Sequence, residues 1–348
     1  MHTGILFGLL SAVLFGASVP LAKALVGATP PIWLAALLYL GAGGGLLVVL
    51  AVRRRGRDRR SIAWPNRADW RWVAAAIAAG GVAGPVALMY GLALTSGAAA
   101  SLLLNLEAVV TALAAWFLFG ENFDRRVALG MLAIVAGAAV LAASPGAVPA
   151  GIAGPALIAL ACLCWALDNN LTRKASASDA VLLAALKGLV AGCANTVIAL
   201  ALGFAAPPWE VVAGAAAVGF LGYGVSLVLF IVALRELGTA RAGAYFAVAP
   251  FFGAALAVAM GQDSVTLALG IAAVLMGAGV WLHVAERHDH EHQHAPLEHT
   301  HAHRHDEHHR HAHAVAWDGR EPHVHSHVHA SLRHTHPHYP DVHHRHGH

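Results

Sequence analysis

Long apolar segments alternate with short polar breaks through the first 285 residues of the chain. Each segment holds about 20 mainly apolar residues, the length that a helix needs to cross the hydrocarbon core of a bilayer. The breaks contain turn residues or charges, such as Thr29-Pro30-Pro31 and Pro207-Pro208. The pattern predicts an all-α integral membrane protein with ten transmembrane helices, at residues 3–27, 31–52, 70–94, 97–119, 126–143, 151–172, 179–204, 210–234, 239–260 and 263–284.

Basic residues lie almost entirely at every second break. An even number of spans places both termini on one side of the membrane, and loops rich in Lys and Arg stay in the cytoplasm. The pattern therefore predicts a multi-pass protein of the inner membrane with both termini cytoplasmic, and Lys23 is the exception. The basic positions are Arg53–Arg60, Arg67, Arg71, Arg125, Arg126, Arg173, Lys174, Arg235 and Arg241.

The composition indicates that the lipid bilayer is the main partner of the chain. The chain is 58% hydrophobic and 12% charged, whereas charged residues make up about a quarter of soluble domains. We interpret the arginine-rich segment 53–60 as a topology determinant that contacts lipid headgroups, so no nucleic-acid partner is expected. The Cys162 and Cys164 pair is expected to be buried packing, with soft-metal binding as the alternative.

The chain contains a weak internal repeat. At an offset of 150, Phe15-Gly16-Ala17 aligns with Trp165-Ala166-Leu167, and at an offset of 140, Ala93-Leu94 aligns with Ala233-Leu234. Five helices per half is an odd number, so the second half must enter the membrane in the opposite sense. Inverted repeats of this kind are typical of secondary transporters, which bind substrate near the midplane between the halves. The predicted regions are 3–143 (helices 1–5), 151–284 (helices 6–10) and a tail at 286–348.

Two stretches carry a family resemblance. The segment from Tyr90 through Asn105-Leu106-Glu107 to Gly120-Glu121 is similar to the helix 3 to helix 4 region of EamA-type transporters, in the drug/metabolite transporter superfamily. The stretch from Ala233-Leu234 to Gly261-Gln262 resembles the matching part of the other EamA repeat. The resemblance implies a carrier of metabolites, amino acids or drugs, commonly outward and often coupled to ion gradients. Gln262 departs from the family pattern, in which an acid usually follows the second-half glycine, and so does the long tail.

Glu107 is the strongest candidate for a transport residue. An ionisable group inside a span costs about 3 kcal/mol to insert, so each one is a functional candidate. Glu107 lies near the middle of helix 4, beside Asn105. Protonation of its carboxyl would couple transport to a proton gradient. The alternative is a permanently protonated, hydrogen-bonded carboxyl that only holds helices together.

A second polar group joins helices 6 and 7. Asp168, Asn169 and Asn170 lie near the end of helix 6, and Lys187 lies about two turns into helix 7. Asp168 and Lys187 fall at similar depth on adjacent antiparallel helices, so an ion pair between them is expected. The pair would serve either substrate binding or structure alone.

Other residues inside the spans are candidates of lower rank. Polar side chains there either line the cavity or satisfy one another at helix interfaces; they are Asn195, Tyr90, Tyr223 and Tyr245. Prolines inside spans remove a helix donor and create either a static kink or a gate hinge; they are Pro20, Pro85 and Pro250.

The tail is rich in histidine. All but two of the 25 histidines lie between His288 and His348, and residues 286–348 contain six arginines, nine acids and few large aliphatic residues. Such a segment cannot bury enough surface to fold, so it is expected to be disordered without a ligand. Imidazole binds Zn, Ni, Co and Cu, and non-specific metal binding is expected with no metal required as a cofactor. The expected ligands are His288, His290, His292, His294, His299, His301, His303, His305, His308, His309, His311, His313, His323, His325, His327 and His329.

These observations predict a secondary transporter that exports a small solute by alternating access, with protons or another ion as a coupling partner. The alternatives are a divalent Ni, Co or Zn exporter supplied by the tail, a membrane metal buffer or sensor, and a neutral low-complexity tail. The spans contain no histidine except His283, which favours a metabolite, amino acid or drug-like solute over a metal. No enzyme is expected, because the spans lack clustered nucleophile, base or metal ligands. Whether the chain forms a homodimer is left undecided by the sequence.

Overall fold

The computed structural model describes residues 2–55, 64–119, 125–144, 151–172, 178–237, 239–284, 289–294, 297–303, 323–329 and 332–337. The chain forms two compact units, Met1–Ala285 and Glu286–His348. Some residues discussed above lie outside the described ranges: Arg57, Arg59, Arg60, Gly120, Glu121, Arg173, Lys174, His288, His305, His308, His309, His311 and His313.

The first unit is built from helices and two π-helical turns. The helices are α1 His2–Leu25, α2 Pro31–Arg55, α3 Trp70–Ala76, α4 Gly84–Leu94, α5 Gly97–Leu103, α6 Leu106–Phe119, α7 Arg125–Ala142, α8 Ala153–Thr172, α9 Ala180–Ala201, α10 Trp209–Gly219, α11 Ser226–Leu237, α12 Thr239–Phe246, α13 Ala249–Ala259 and α14 Leu267–Val284. The π-helical turns are π1 Ile77–Ala83, between α3 and α4, and π2 Phe220–Val225, between α10 and α11.

Six of these helices, and several segments in which shorter helices follow one another, are of membrane-spanning length. Within the described residues, nine helical segments are long and apolar enough to cross a membrane, and Leu267–Leu282 is a shorter apolar helix. The last helix begins at Leu267 and not at residue 263 as predicted. The reason is a local cap, because the Thr266 hydroxyl accepts a hydrogen bond from the Leu269 amide at 3.1 Å and so defines the first turn.

Contacts between helix ends show that successive spans alternate in direction. The Thr3 hydroxyl at the start of α1 donates to the Glu236 carboxylate near the end of α11 at 2.9 Å. Arg53 near the end of α2 pairs with Asp179, just before α9, at 3.7 Å. We call the end of the bundle that carries these contacts the N-terminal end, and the end where α1 finishes at Leu25 the opposite end.

The two halves of the bundle have helix irregularities at matching positions. The third and eighth spans each contain a π-helical turn, beginning at Ile77 and Phe220. The fourth and ninth spans, predicted as single helices, are each interrupted, at residues 104–105 and 247–248. The two π-helical turns lie 143 residues apart, and so do the two interruptions. This separation falls between the offsets of 140 and 150 at which the sequence repeat aligns. The constant offset agrees with the two repeated halves that the sequence indicates.

Small residues bring helices of the two halves into close contact. Gly188 and Gly192 lie one turn apart on α9 and face α2. A Cβ added at Gly188 would come within 2.8 Å of the Gly43 backbone, and one at Gly192 within 2.7 Å of the Leu40 side chain. No larger side chain fits there, which explains the dense glycine of these spans as packing.

The surface of the helical unit is apolar. Large side chains are more than half exposed at Leu6, Val48, Leu132 and Val274. Contiguous apolar surface of this extent is rare on soluble monomers, but lipid tails are as apolar as leucine. The surface therefore fits a bilayer.

The described part of the second unit consists of four strands. β1 Asp289–His294 pairs antiparallel with β4 Leu332–Pro337, and β2 Leu297–His303 pairs antiparallel with β3 His323–His329. The histidines of these strands alternate with a period of two, which is the pattern of a strand. The disorder expected of the tail without a ligand stays a prediction.

Candidate functional site

The π1 turn in the third span frees two backbone carbonyls. Pro85 has no N–H, so the Gly81 carbonyl loses its donor four residues on, and the Gly80 carbonyl loses its donor five residues on. The remaining nearby donor, the Gly84 N–H, bonds to the Ala79 carbonyl. The turn therefore presents two carbonyl oxygens that need partners from other helices.

Three side chains from neighbouring spans bind these carbonyls. The Tyr39 hydroxyl on α2 and the Trp165 indole on α8 both donate to the Gly80 carbonyl, at 2.9 and 3.0 Å. The Asn195 amide on α9 donates to the Gly81 carbonyl at 3.4 Å. The predicted candidate Asn195 is thus buried, and its amide is hydrogen-bonded to a free backbone carbonyl of π1.

The Asp168–Lys187 pair, predicted from the sequence, is present in the structure. The Lys187 ammonium lies 2.5 Å from the Asp168 carboxylate. The Thr172 hydroxyl also donates to this carboxylate at 2.9 Å and lies 3.2 Å from the ammonium. Gly80 makes room for the pair, because an added Cβ there would overlap the Asp168 side chain. The carboxylate and ammonium partly compensate each other's loss of water.

Glu107 binds Asn169 on a face that does not contact lipid. The Asn169 amide donates to the Glu107 carboxylate at 3.0 Å. The outward face of α8 carries the exposed side chains of Leu160, Leu163 and Leu167, and at 100° per residue Asn169 lies on the reverse face. Asn169 is nevertheless exposed and Glu107 is partly exposed. The two side chains are therefore accessible on the inward side of the bundle, in a region that we call the cavity, with Glu107 near the middle of its span and Asn169 near the end of α8.

The interruption of the fourth span lies directly before Glu107. The Asn105 amide donates to the Leu102 carbonyl at 2.8 Å, so the side chain of this predicted candidate bonds the backbone at the interruption of the helix. The Cys162 thiol lies 3.9 and 4.0 Å from the Leu103 and Leu104 carbonyls. Cys162 and Cys164 are both buried, in agreement with the expected packing role.

Aromatic rings from four spans surround the same region. Phe15 on α1 stacks edge-on against Tyr223 in π2, with ring centroids 5.8 Å apart, and lies 5.3 Å from Phe246 on α12. Tyr39 lies 5.9 Å from Tyr223. Tyr39 is also within electrostatic range of Glu107. These rings are only partly buried, so aromatic faces are accessible in the region that contains the Glu107 carboxyl.

Two other predicted residues lie away from this cavity. Tyr90 is 37% exposed and shares an outward stripe of its span with Ala83 and Ala93. Tyr245 packs against α1 at Gly8, where an added Cβ would lie 3.2 Å from the tyrosine Cβ. The structure does not bring either hydroxyl to Glu107.

Two of the three predicted kink prolines stand at helix irregularities. Pro85 follows π1, and Pro250 lies in the first turn of α13, just after the interruption of the ninth span. Pro20 lies within α1. At Pro85 and Pro250 the sequence signal was sufficient to place an irregularity, because a missing N–H is a property of the residue itself.

Several residues around the cavity were not predicted, namely Tyr39, Trp165, Thr172, Phe15 and Phe246. A glycine pair followed by Pro85 signals unpaired carbonyls in the third span. Nothing local in the sequence indicates which side chains of distant spans would bind them. The convergence of the aromatic rings depends on the packing of helices.

Contacts at the opposite end of the bundle join the two halves. The Gln262 amide donates to the Pro20 carbonyl at 2.8 Å. The Asp263 carboxylate accepts the Ala98 amide at 2.7 Å, at the start of α5. Lys23, the exception to the basic pattern, is within electrostatic range of Asp263. Gln262, which departs from the family pattern, is thus one of the residues that join the two halves at this end.

The helical unit matches known transporters. The model of the EamA-like transporter family matches residues 2–143 and again residues 152–285. A transporter of Methanothermobacter thermautotrophicus, described as uncharacterized, is 27% identical over 288 residues, which cover 78% of this chain and 83% of that protein. A crystal structure at 22% identity shares the fold, with a TM-score of 0.60 over 80% of this chain and 95% of that one. The chain belongs to the EamA-like transporter family, in the drug/metabolite transporter superfamily, and is a multi-pass membrane protein that transports a small solute.

Proposed function

We propose that the chain exports a metabolite, amino acid or drug-like solute across the inner membrane by alternating access between two inverted halves. The observation that carries this proposal is the Glu107–Asn169 hydrogen bond. It lies on the cavity side and joins Glu107, near the middle of the fourth span in the first half, to Asn169, near the end of the sixth span in the second half. A site between two repeats at the midplane is the arrangement expected of a secondary transporter.

Alternating access requires contacts between the halves that open at one end at a time. At the N-terminal end, Arg53 of the first half pairs with Asp179 of the second, at 3.7 Å. At the opposite end, Gln262 and Asp263 bind the backbone at Pro20 and Ala98. We place the N-terminal end in the cytoplasm, because the basic loops lie there. Outward release then requires the contacts of Gln262 and Asp263 to break.

Glu107 is the proposed coupling residue. Its carboxylate accepts a hydrogen bond from Asn169 across the interface of the halves. Protonation removes the negative charge that holds this bond, and a bound solute with a donor group competes for the same oxygen. Proton binding and solute binding at one carboxyl would exclude each other, which is the requirement for exchange of one for the other.

The test compares three forms of the chain in host cells: the unaltered chain, Glu107→Gln, and Glu210→Gln as the control. Glu210 is an exposed carboxyl in the first turn of α10, at the opposite end. Metabolites released into the medium are identified by mass spectrometry, and each released solute is then assayed in proteoliposomes with an imposed pH gradient. We expect Glu107→Gln to abolish the response to the gradient and Glu210→Gln to retain it. A normal response in Glu107→Gln would refute proton coupling through this residue.

The metal-exporter hypothesis is tested in the same cells. Zinc, nickel, cobalt and copper contents are measured with the full chain, with a chain that ends at residue 285, and with Glu107→Gln. We expect equal metal contents in all three and equal solute release with and without the tail, because the tail forms a separate unit. Lower metal content with the full chain alone would instead support export of metal.

A further inference from the structure

Four partly buried aromatic rings form a connected group in the region of Glu107. Phe15 and Tyr39 each contact Tyr223, with ring centroids 5.8 and 5.9 Å apart, and Phe15 also contacts Phe246 at 5.3 Å. Tyr39 links this group to the carboxyl, because it is within electrostatic range of Glu107. The faces of aromatic rings carry partial negative charge, so they attract cations as well as apolar groups.

The Glu107 carboxylate has an oxygen that can accept a bond from a solute. Asn169 donates to Oε1 at 3.0 Å, and within the described part of the chain no donor is bound to Oε2. An ionised carboxylate only accepts hydrogen bonds, and its two oxygens can accept several. The group that fits beside Oε2 is therefore a donor or a positive charge.

The other charged groups near Glu107 compensate each other. Asp168 is within electrostatic range of Glu107, and its carboxylate lies 2.5 Å from the Lys187 ammonium. The Thr172 hydroxyl lies 3.2 Å from the same ammonium, so this cation has its partners on α8. Among the residues that the structure describes, the ionised Glu107 carboxyl thus has no cationic partner of its own.

The backbone next to Glu107 does not favour a carboxylate of a solute. Carboxylates bind where a helix begins with free N–H groups. At the interruption of the fourth span, the amides of Asn105, Glu107 and Ala108 are already bonded to carbonyls three residues earlier, at 3.0 to 3.2 Å. An amino acid would also bring a second negative charge close to an unpaired one, and like charges side by side are strongly unfavourable.

We propose that the transported solute is an organic cation, in which a positively charged nitrogen is joined to an aromatic or other apolar group and no carboxylate is present. The nitrogen binds Oε2 of Glu107, and the apolar group lies against Phe15, Tyr39, Tyr223 and Phe246. This inference rests on the proposed function and narrows its solute classes to amines and related cations. Protonation of Glu107 removes the charge that holds the cation, which agrees with exchange of one for the other.

The test titrates the purified full chain in detergent at pH 8 with three compounds, using isothermal titration calorimetry. Phenethylamine, phenylalanine and 3-phenylpropionate share a phenyl ring on a two-carbon chain and differ in charge, as cation, zwitterion and anion. We expect phenethylamine to bind at least tenfold more tightly than phenylalanine, and 3-phenylpropionate to bind more weakly still. Phenethylamine that does not bind, or that binds no more tightly than phenylalanine, would overturn the proposal.

Matched variants test the two parts of the site with phenethylamine as the probe. Glu107→Gln should weaken binding at least tenfold, because a hydrogen bond to a charged group is lost. Phe15→Leu keeps an apolar side chain but loses the ring, so about threefold weaker binding is expected. The controls are Glu210→Gln and Phe252→Leu, since both side chains are exposed, and neither should change the affinity. Unchanged binding in Glu107→Gln, or equal losses in a variant and its control, would contradict the site.

The release experiment described above distinguishes failure of this inference from failure of the proposed function. A solute that is released through the chain and carries no positive charge would overturn the cation inference and leave export standing. Tight binding of phenethylamine without any release that depends on the chain would overturn export and support only the ligand class of the site.

Discussion

Single residues inside the spans are held by partners that satisfy their charge. Asp168 and Lys187 have side chains that are 9% and 19% exposed, and a third side chain, Thr172, binds the same carboxylate. A buried charge without a partner is far more costly than an exposed one. The sequence predicted this pair because both positions follow from helix geometry and depth. It did not predict Thr172, which lies one helical turn after Asp168 on α8.

Lys187→Met should therefore destabilise the protein by about 3 kcal/mol, because it leaves the Asp168 carboxylate buried without its cation. Adding Asp168→Asn should recover much of this loss. Arg53→Met is the control, since its pair with Asp179 is 3.7 Å long and its side chain is 40% exposed, and about 1 kcal/mol or less is expected. The measurement is unfolding of the detergent-solubilised protein by tryptophan fluorescence. Equal losses in Lys187→Met and Arg53→Met would contradict this account.

The helices that carry the candidate site are irregular beside it. The third span changes to a π-helical turn before Pro85, and the fourth span breaks immediately before Glu107. Side chains of other spans bind the free Gly80 carbonyl of π1, and the Cys162 thiol lies 3.9 and 4.0 Å from the carbonyls before the break of the fourth span. Apolar length predicted the spans, and Pro85 signalled a kink. The break before Glu107 has no proline, so the sequence predicted a continuous helix there.

Gly80→Ala tests whether π1 must approach α8. An added methyl group would overlap the Asp168 side chain, whereas one at Gly44 of α2 would meet no atom within 4 Å. Gly80→Ala should lower the thermal stability, because the ion pair must move. Gly44→Ala should leave it unchanged or raise it slightly, as alanine favours helix over glycine by about 1 kcal/mol. Matching melting curves for the two variants would mean that the close approach at Gly80 is not required.

At the scale of the whole molecule, the two halves contact each other at both ends and at mid-span. The contact at the opposite end uses Gln262 and Asp263 of the second half against α1 and α5 of the first. The weak sequence repeat indicated two halves, and the matching irregularities 143 residues apart agree with it. The tail is a separate unit whose strand register follows its histidine alternation.

Asp263→Ala should open the cavity toward the opposite end, because it removes the acceptor of the Ala98 amide. A cysteine at position 169 reports access, in a chain in which the exposed Cys193 is replaced by serine. A membrane-impermeant maleimide added to whole cells should label this cysteine several times faster with Asp263→Ala. Glu210→Ala, at the same end, should leave the rate unchanged. If the cysteine is labelled no faster with Asp263→Ala than with the control, the contact between Asp263 and Ala98 does not restrict access from the opposite end.

The sequence by itself determined the membrane-spanning segments, the family, the Asp168–Lys187 pair and the alternation of the tail. Each of these depends on residue type and on spacing within one or two neighbouring helices, which sequence order preserves. Only the tertiary structure decided that Tyr39 and Trp165 bind the π1 carbonyl, that Asn169 of the second half binds Glu107 of the first, and that Tyr90 faces outward. Those outcomes depend on how helices distant in sequence rotate and pack against one another, and no local pattern of residues encodes that rotation.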